Sequence, residues 1–411
     1  MERTGTERTF LAARSLKKLT KDIRTPFYLY DEKGIRAGVK ALSSAFSRFT
    51  APEFLFPVQK CTNRAVLELL WELGCSMLCR SRTELLLMQA CGFCGSRVVY
   101  GPTLPNEECE ELADQLEALR LVEGEYVLPP RPPKKVLLSY NPGGKLFYHG
   151  MPVGNLNKYY FGMNEAQIIN MADRFSTFGA EEIGLTLLTD PLEGSPEYYA
   201  AAAQLLFELC VKIREACGVC VNICNLGDGL PYLYDPNAPQ PDLTGCAEQI
   251  EAMRQSILLP NGLSQTRIGI MPGRYLVAHH GLLLTRVCAI RQAETCALLV
   301  DAALSNMMNS LFFGGRHRIS VLGRGDEKNV AFYDVIGATG DRRDSFGKRV
   351  LLPIVKVGDI LVLHTCGADG SAVRCGYGGI PNCAEYVSRS MEDIELIRPA
   401  QSGEELLQSI L

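Results

Sequence analysis

Eight short apolar runs, most of them followed by an amphipathic stretch, constrain this chain more than any other feature. They are FLFPVQ (54–59), SMLC (76–79), RVVYG (97–101), LRLVE (119–123), VLLSYN (136–141), EIGLTLL (182–188), VNICNLG (221–227) and RIGIMPG (267–273). Strands separated by helices run parallel, because the helix carries the chain back to the starting edge of the sheet. Eight is the number that closes such a sheet into a barrel. Ile35, Val39, Leu42 and Phe46 share one helical face before the first run. Asn63 stands as the cap of RAVLELLWEL and Gly74 as its stop. Residues 124–135 carry four prolines, so an extended connection is expected there in place of a helix.

After about residue 280 the pattern changes to short strands with turns between them, from GLLLTRVCAIRQ through KVGDILVLHT to AEYVSR. That is the signature of an antiparallel β domain. The fold class is therefore α/β: a (β/α)8 TIM-type barrel over residues 26–278, then an antiparallel β domain over 279–411 with residues 1–25 packed on it.

A net charge of −4 gives no footprint for nucleic acid. No apolar run approaches the ~20 residues of a membrane span, and MERTGTERTF has no signal-peptide core. The chain reads as a cytoplasmic protein with no membrane or nucleic-acid partner. Most of the sixteen cysteines sit inside apolar periodic segments, as small reduced hydrophobes do. Cys91–Cys94 and Cys217–Cys220 have CxxC spacing, compatible with redox work or half a zinc site. With five histidines and no paired cluster, no metal site is expected.

Barrel enzymes place reactive groups at the C-terminal ends of their strands. Lys60 stands at the end of the first run. A lysine there can snorkel to solvent, or it can be paired, deprotonated or used covalently as a Schiff-base residue. Gly227-Asp228-Gly229 ends the seventh run, where glycines let backbone N–H groups approach a phosphate. Met271-Pro272-Gly273-Arg274 ends the eighth, and Arg274 can clamp the same phosphate. Three such signals at matching strand ends point to one phosphorylated cofactor.

These residues, with TPFYLYDEKGIRAGVKAL, CRSRTELLLMQACGF, LLVDAALSN, VGDILVL and GYGGIPNCAEYV in matching order and spacing, resemble the fold-type III pyridoxal-phosphate family of diaminopimelate and ornithine decarboxylases. The resemblance covers nearly the whole chain. It implies an alanine-racemase-like barrel, pyridoxal 5′-phosphate as cofactor and an amino-acid substrate. It further implies Lys60 as the Schiff-base lysine, Gly227 and Gly229 as phosphate-loop residues, and Arg274 as a phosphate contact. A homodimer is implied too, with composite sites to which segment 338–346 contributes.

Several positions depart from the family pattern. Leu188 stands where a histidine stacks on the cofactor ring, Met271 where a carboxylate pairs with the pyridine nitrogen, and Gly340 where a cysteine faces the partner's site. Leu78 replaces an aspartate, Tyr160 a lysine and Asn309 a substrate-binding arginine. The phosphate-binding tyrosine falls at Asp369, with Tyr377 as the substitute in a slipped alignment. A thioether gives a pyridinium no charge stabilisation, so the ring becomes a weaker electron sink. Asp228 adds negative charge beside a phosphate. Cys61, Asp341, Asp344 and Tyr377 are the candidate acid/base groups. Two functions remain: an atypical enzyme acting on an amino acid or conjugated amino acid, and a non-catalytic homologue serving as a binding or regulatory partner.

Overall fold

The computed structural model describes residues 16, 19–20, 22–104, 106–125, 131–148, 151–152, 160–188, 195–230, 240–292, 294–309, 316–390, 393–408 and 411. Its centre is a closed, all-parallel barrel. The eight strands are β2 (Glu53–Pro57), β3 (Ser76–Cys79), β4 (Val98–Tyr100), β5 (Leu119–Val122), β6 (Lys135–Tyr140), β7 (Glu182–Leu187), β8 (Ile223–Asn225) and β9 (Arg267–Ile270).

Period-two alternation sorts their side chains. Leu55, Leu78, Val99, Leu121, Leu137 and Ile223 pack together as the barrel's inner plug, with Met271 against its upper edge. Phe54, Phe56, Met77, Cys79, Val98 and Tyr100 point the other way, into the layer shared with the helices. Helix starts follow local chemistry. The Asn63 side chain accepts the Ala65 N–H to open Arg64–Glu72, and Asn164 with Gln167 forms a capping box on Glu165–Thr177. In the proline-rich connection the described residues, 123–125 and 131–134, contain no helix, and residues 126–130 lie outside the described ones.

The second layer is a sheet in the order β14–β13–β11–β10–β1–β16–β17, where β1 is Phe27–Asp31, β10 Gly281–Gln292, β11 Cys296–Val300, β13 Ala331–Ile336, β14 Ser345–Leu352, β16 Ala384–Ser388 and β17 Ile394–Arg398. Two further strands, β12 (Ile319–Val321) and β15 (Ile360–Leu363), pair with each other, and β15 also pairs with β10. Most pairings are antiparallel; β1 with β16 and β11 with β13 are parallel.

The division at residue 26 needs one correction. Phe27–Asp31 belongs to the sheet, not the barrel: it lies between β10 and β16 with all but its last residue buried. A five-residue strand whose first four residues are apolar or aromatic carries no signal of which sheet it enters. Most of residues 1–25 lies outside the described residues, but buried Leu16 packs with Phe27, Leu282, Leu284 and Val362 of the sheet. No described helix is long and apolar enough to cross a membrane.

Candidate active site

After Pro57 the chain makes a single tight turn, Val58–Lys60, and this turn sets Lys60 at the C-terminal mouth of the barrel. The Lys60 Nζ donates to Asp369 Oδ1 at 3.1 Å and to Oδ2 at 3.3 Å, and the Asp369 N–H donates back to the Lys60 carbonyl at 2.9 Å. Both side chains are mostly buried, so the pair is screened little by solvent. Asp369 sits in the left-handed region at φ 52°, a conformation aspartate tolerates better than most residues.

Its segment is pinned from several sides. Cys366 N–H donates to Gly281 O at 2.8 Å, His317 Nδ1 lies 2.9 Å from His364 O, and His364 Nε2 lies 2.9 Å from Ser320 Oγ. On the other flank of Lys60, Asn63 Nδ2 donates to the buried Glu385 at 2.8 Å, and Arg398 reaches both Glu385 and the Thr62 carbonyl. The lysine segment is thus held by residues of the second layer.

The opposite wall comes from β8 and β9. Gly227, at φ 76°, turns the chain, and its N–H donates to Asn225 Oδ1 at 2.9 Å. Its carbonyl accepts the Met271 N–H at 2.9 Å, which ties this turn to the one carrying Arg274. Arg274 Nη2 donates to Asp228 Oδ2 at 2.9 Å. Burial pushes Asp228 above the usual carboxylate range, with Arg274 and then Lys60 pulling it back. Glycine is required at 229: a Cβ there would lie 2.8 Å from the Tyr199 hydroxyl and 2.9 Å from the Tyr198 ring. The Tyr199 hydroxyl is fully buried and has no hydrogen-bond partner among the described residues.

Lys60, Gly227, Gly229 and Arg274 thus converge on one mouth; Tyr377 does not join them. It is half exposed, and its hydroxyl donates to Asp341 Oδ2 at 2.7 Å beside Arg343. With Leu304, Ser305, Met308 and Thr339, Asp341 and Tyr377 line a cavity of about 210 Å³. Arg343 and Tyr377 hold Asp341 well below the ordinary carboxylate range.

Two acid/base candidates are displaced by their surroundings. Burial raises the Cys61 thiol to about 12, so it stays neutral. The buried Asp344 carboxylate accepts the Leu304 and Thr339 N–H groups at 2.8 and 2.7 Å and shapes their loop. Leu188 follows β7, its N–H on Tyr140 O, and Tyr160 is exposed. Among the described residues no group of three His, Cys, Asp or Glu is placed to hold a metal ion.

Sequence reasoning missed Asp369 as a lysine partner, Tyr199 beside the glycine turn, and the Asn225 side-chain oxygen that fixes Gly227. Only Asn225 had a local signal, an asparagine two residues before a glycine.

Residues 27–367 match the family described as "Pyridoxal-dependent decarboxylase, C-terminal sheet domain". The chain belongs to this family, and pyridoxal 5′-phosphate, the cofactor expected from the sequence, is the family's. Protein TabA of Pseudomonas amygdali pv. tabaci is 27% identical over 392 residues, covering 94% of this chain and 91% of that protein. A diaminopimelate decarboxylase of Methanothermobacter thermautotrophicus is 25% identical, covering 95% of this chain and 92% of the relative. The fold matches that of Helicobacter pylori diaminopimelate decarboxylase complexed with L-lysine, at a TM-score of 0.83 and 22% identity, over 96% of this chain and 99% of the other.

The donor set fits the cofactor. An amine stands at the mouth, a glycine turn lies against a buried and unpartnered phenol, and an arginine faces that turn. What differs is that a carboxylate already rests on each of the two cations.

Proposed function

We propose that this chain is a pyridoxal-phosphate-dependent enzyme that acts on an amino acid or a conjugated amino acid, with Lys60 as the residue that takes the cofactor covalently. The observation that carries this reading is the placement of the Lys60 amine at the barrel mouth, opposite the Gly227–Gly229 turn and Arg274. Pyridoxal phosphate, when bound, supplies a carbonyl that condenses with amines and a ring that takes up the electron pair released at the substrate α-carbon.

Lys60 must lose a proton to act as a nucleophile, and Asp369 Oδ1, 3.1 Å away, is an acceptor within reach. Gly229, Arg274 and the Tyr199 hydroxyl would hold the phosphate. Gly227 has a supporting part, since its N–H serves Asn225 and its carbonyl positions Met271. Met271 offers no charge to the ring nitrogen and Leu188 no aromatic stack, so both present apolar surface to the ring. Such a site suits a reaction that asks less of the ring as an electron sink. Asp341 and Arg343 of the 338–346 segment gather with Tyr377 on an accessible face. In this reading they meet the barrel mouth of a second copy, and the protein is a homodimer.

The second reading, a non-catalytic homologue, has one observation in its favour: Asp228 occupies the arginine a phosphate needs. An absorbance titration with pyridoxal phosphate, followed by borohydride reduction and peptide mapping, separates the two. A new near-visible band and a modified Lys60, both lost in Lys60→Ala, support the enzyme. No uptake at excess cofactor overturns it in favour of the second reading. Sedimentation checks the dimer, and a monomer at all concentrations removes the composite site.

A further inference from the structure

A phosphate subsite built from a glycine turn and an arginine offers its N–H groups to an incoming anion. Here two of these donors are engaged from within the chain. The Gly227 N–H serves Asn225 Oδ1. Arg274 Nη2 serves the Asp228 carboxylate at 2.9 Å. A guanidinium holding an oxyanion beside a glycine turn is the arrangement a phosphate oxygen would meet. The carboxylate is tethered, so its effective concentration at Arg274 is high and any free ligand competes against it.

Charge points the same way. Lys60 with Asp369 and Arg274 with Asp228 are two neutral pairs within one mouth. A phosphate that enters without displacing a carboxylate brings a charge of about −2 beside a lysine and an arginine that each already hold a carboxylate. One donor remains apart from these pairs. The Tyr199 hydroxyl, buried against Gly229, has no hydrogen-bond partner among the described residues.

We propose that Asp228 is a resident anion in the phosphate subsite: it stands in for the cofactor's phosphate and sets the site's selectivity against phosphorylated ligands. Pyridoxal phosphate binds only when the Asp228 carboxylate gives up Arg274, whereas unphosphorylated pyridoxal meets no such competitor. The proposal rests on the reading above for the place of the phosphate, but not on covalent attachment at Lys60.

The test is calorimetric titration of the cofactor-free protein with three probes: pyridoxal phosphate, pyridoxal and inorganic phosphate. It is run on wild type, Asp228→Asn and Asp228→Ala, each also in a Lys60→Ala background. A charge-assisted hydrogen bond is worth enough that freeing Arg274 tightens both phosphate-bearing probes by about tenfold or more, while pyridoxal changes by less than about threefold. The tightening persists without Lys60, since it reads the phosphate end alone. Asparagine keeps the aspartate's shape and guards against a packing artefact, and thermal melts of both variants check the fold.

Unchanged phosphate and pyridoxal phosphate affinities in both folded variants overturn the proposal, as does an equal gain for pyridoxal. Failure of the broader reading looks different: tighter phosphate binding in Asp228→Asn with no borohydride-fixed adduct at Lys60 in any variant removes the enzyme and leaves the resident anion standing.

Discussion

The two ends of the barrel both carry ion pairs, and they are built on different principles. At the N-terminal end, Arg267 bridges Glu53 and Glu182, and Lys135 reaches Glu182 at 2.6 Å. These groups sit on strands β2, β6, β7 and β9, so the barrel closes that end with its own residues. At the C-terminal end, Lys60 is paired by Asp369 from beyond β15, and the lysine segment is anchored by Glu385 and Arg398 from β16 and β17. The lower ring is about a third exposed; the upper pairs are markedly more buried. The lower end is completed by side chains of the barrel's own strands. The upper end depends on chain some 300 residues away, as a site must when it needs groups that no single strand supplies.

The strongest way to break this contrast is to remove the anchor of the upper end. Glu385 is 1% exposed and is held by Asn63, Arg398 and, at 3.8 Å, Arg374. Glu385→Ala leaves two partly buried guanidinium groups without their carboxylate, and the expected loss is about 3 to 4 kcal/mol of unfolding free energy. Urea denaturation measures it. The same variant should react more slowly at Lys60 under borohydride trapping, because the lysine turn loses its support. A loss below about 1 kcal/mol would show that the second layer merely touches the barrel mouth.

Acid should act on the two ends with opposite sign. Burial, with the charge of Arg318 and the neighbouring His317, pushes His364 down to about 4 from an ordinary 6.5. A lowered histidine contributes full stability above its unfolded value and loses it as pH falls toward the folded one. The window is therefore 6.5 down to 4, and 2.5 units at 1.36 kcal/mol each give about 3 kcal/mol. Glu53 runs the other way. Burial outweighs Arg267 and raises it above 4.5, so its contribution is present below that value and fades as pH rises. Amide exchange at pH 5 should thus quicken in residues 364–369, which deliver Asp369, before it quickens in β2. His364→Gln should flatten the acid loss. Equal quickening of both segments would erase the distinction between the ends.

What the sequence disclosed follows the same division. The barrel was legible because each strand announces itself through local apolar runs, and Lys60 and Arg274 because they sit at the ends of those runs. β1 was misassigned because FYLY is apolar or aromatic on both faces and says nothing of its neighbours. Asp369 was read as a lost tyrosine, and nothing local reveals a carboxylate that meets a lysine 309 residues away. Asp344 and Cys61 looked chemical because their types are chemical. Burial, a property of the fold, makes one a loop brace and the other an inert thiol. Tyr377 was set against the phosphate by alignment alone, while its hydroxyl is engaged by Asp341.

The smallest effect is expected at the lower end, where it sharpens the contrast most. Arg267→Ala removes the cation between Glu53 and Glu182, two carboxylates that already repel. Partial exposure lets water screen them, so the loss should be about 1 to 2 kcal/mol, below that of a buried pair. The inner plug of Leu55, Leu78, Val99, Leu121, Leu137 and Ile223 lies between this ring and the mouth, and it is apolar and closely packed. It should transmit little of the disturbance, so pyridoxal phosphate uptake per folded molecule should match wild type. If Arg267→Ala weakens uptake as much as it weakens the fold, the barrel's two ends act as one unit. The upper site would then draw its geometry from the lower ring as well as from Glu385 and Asp369.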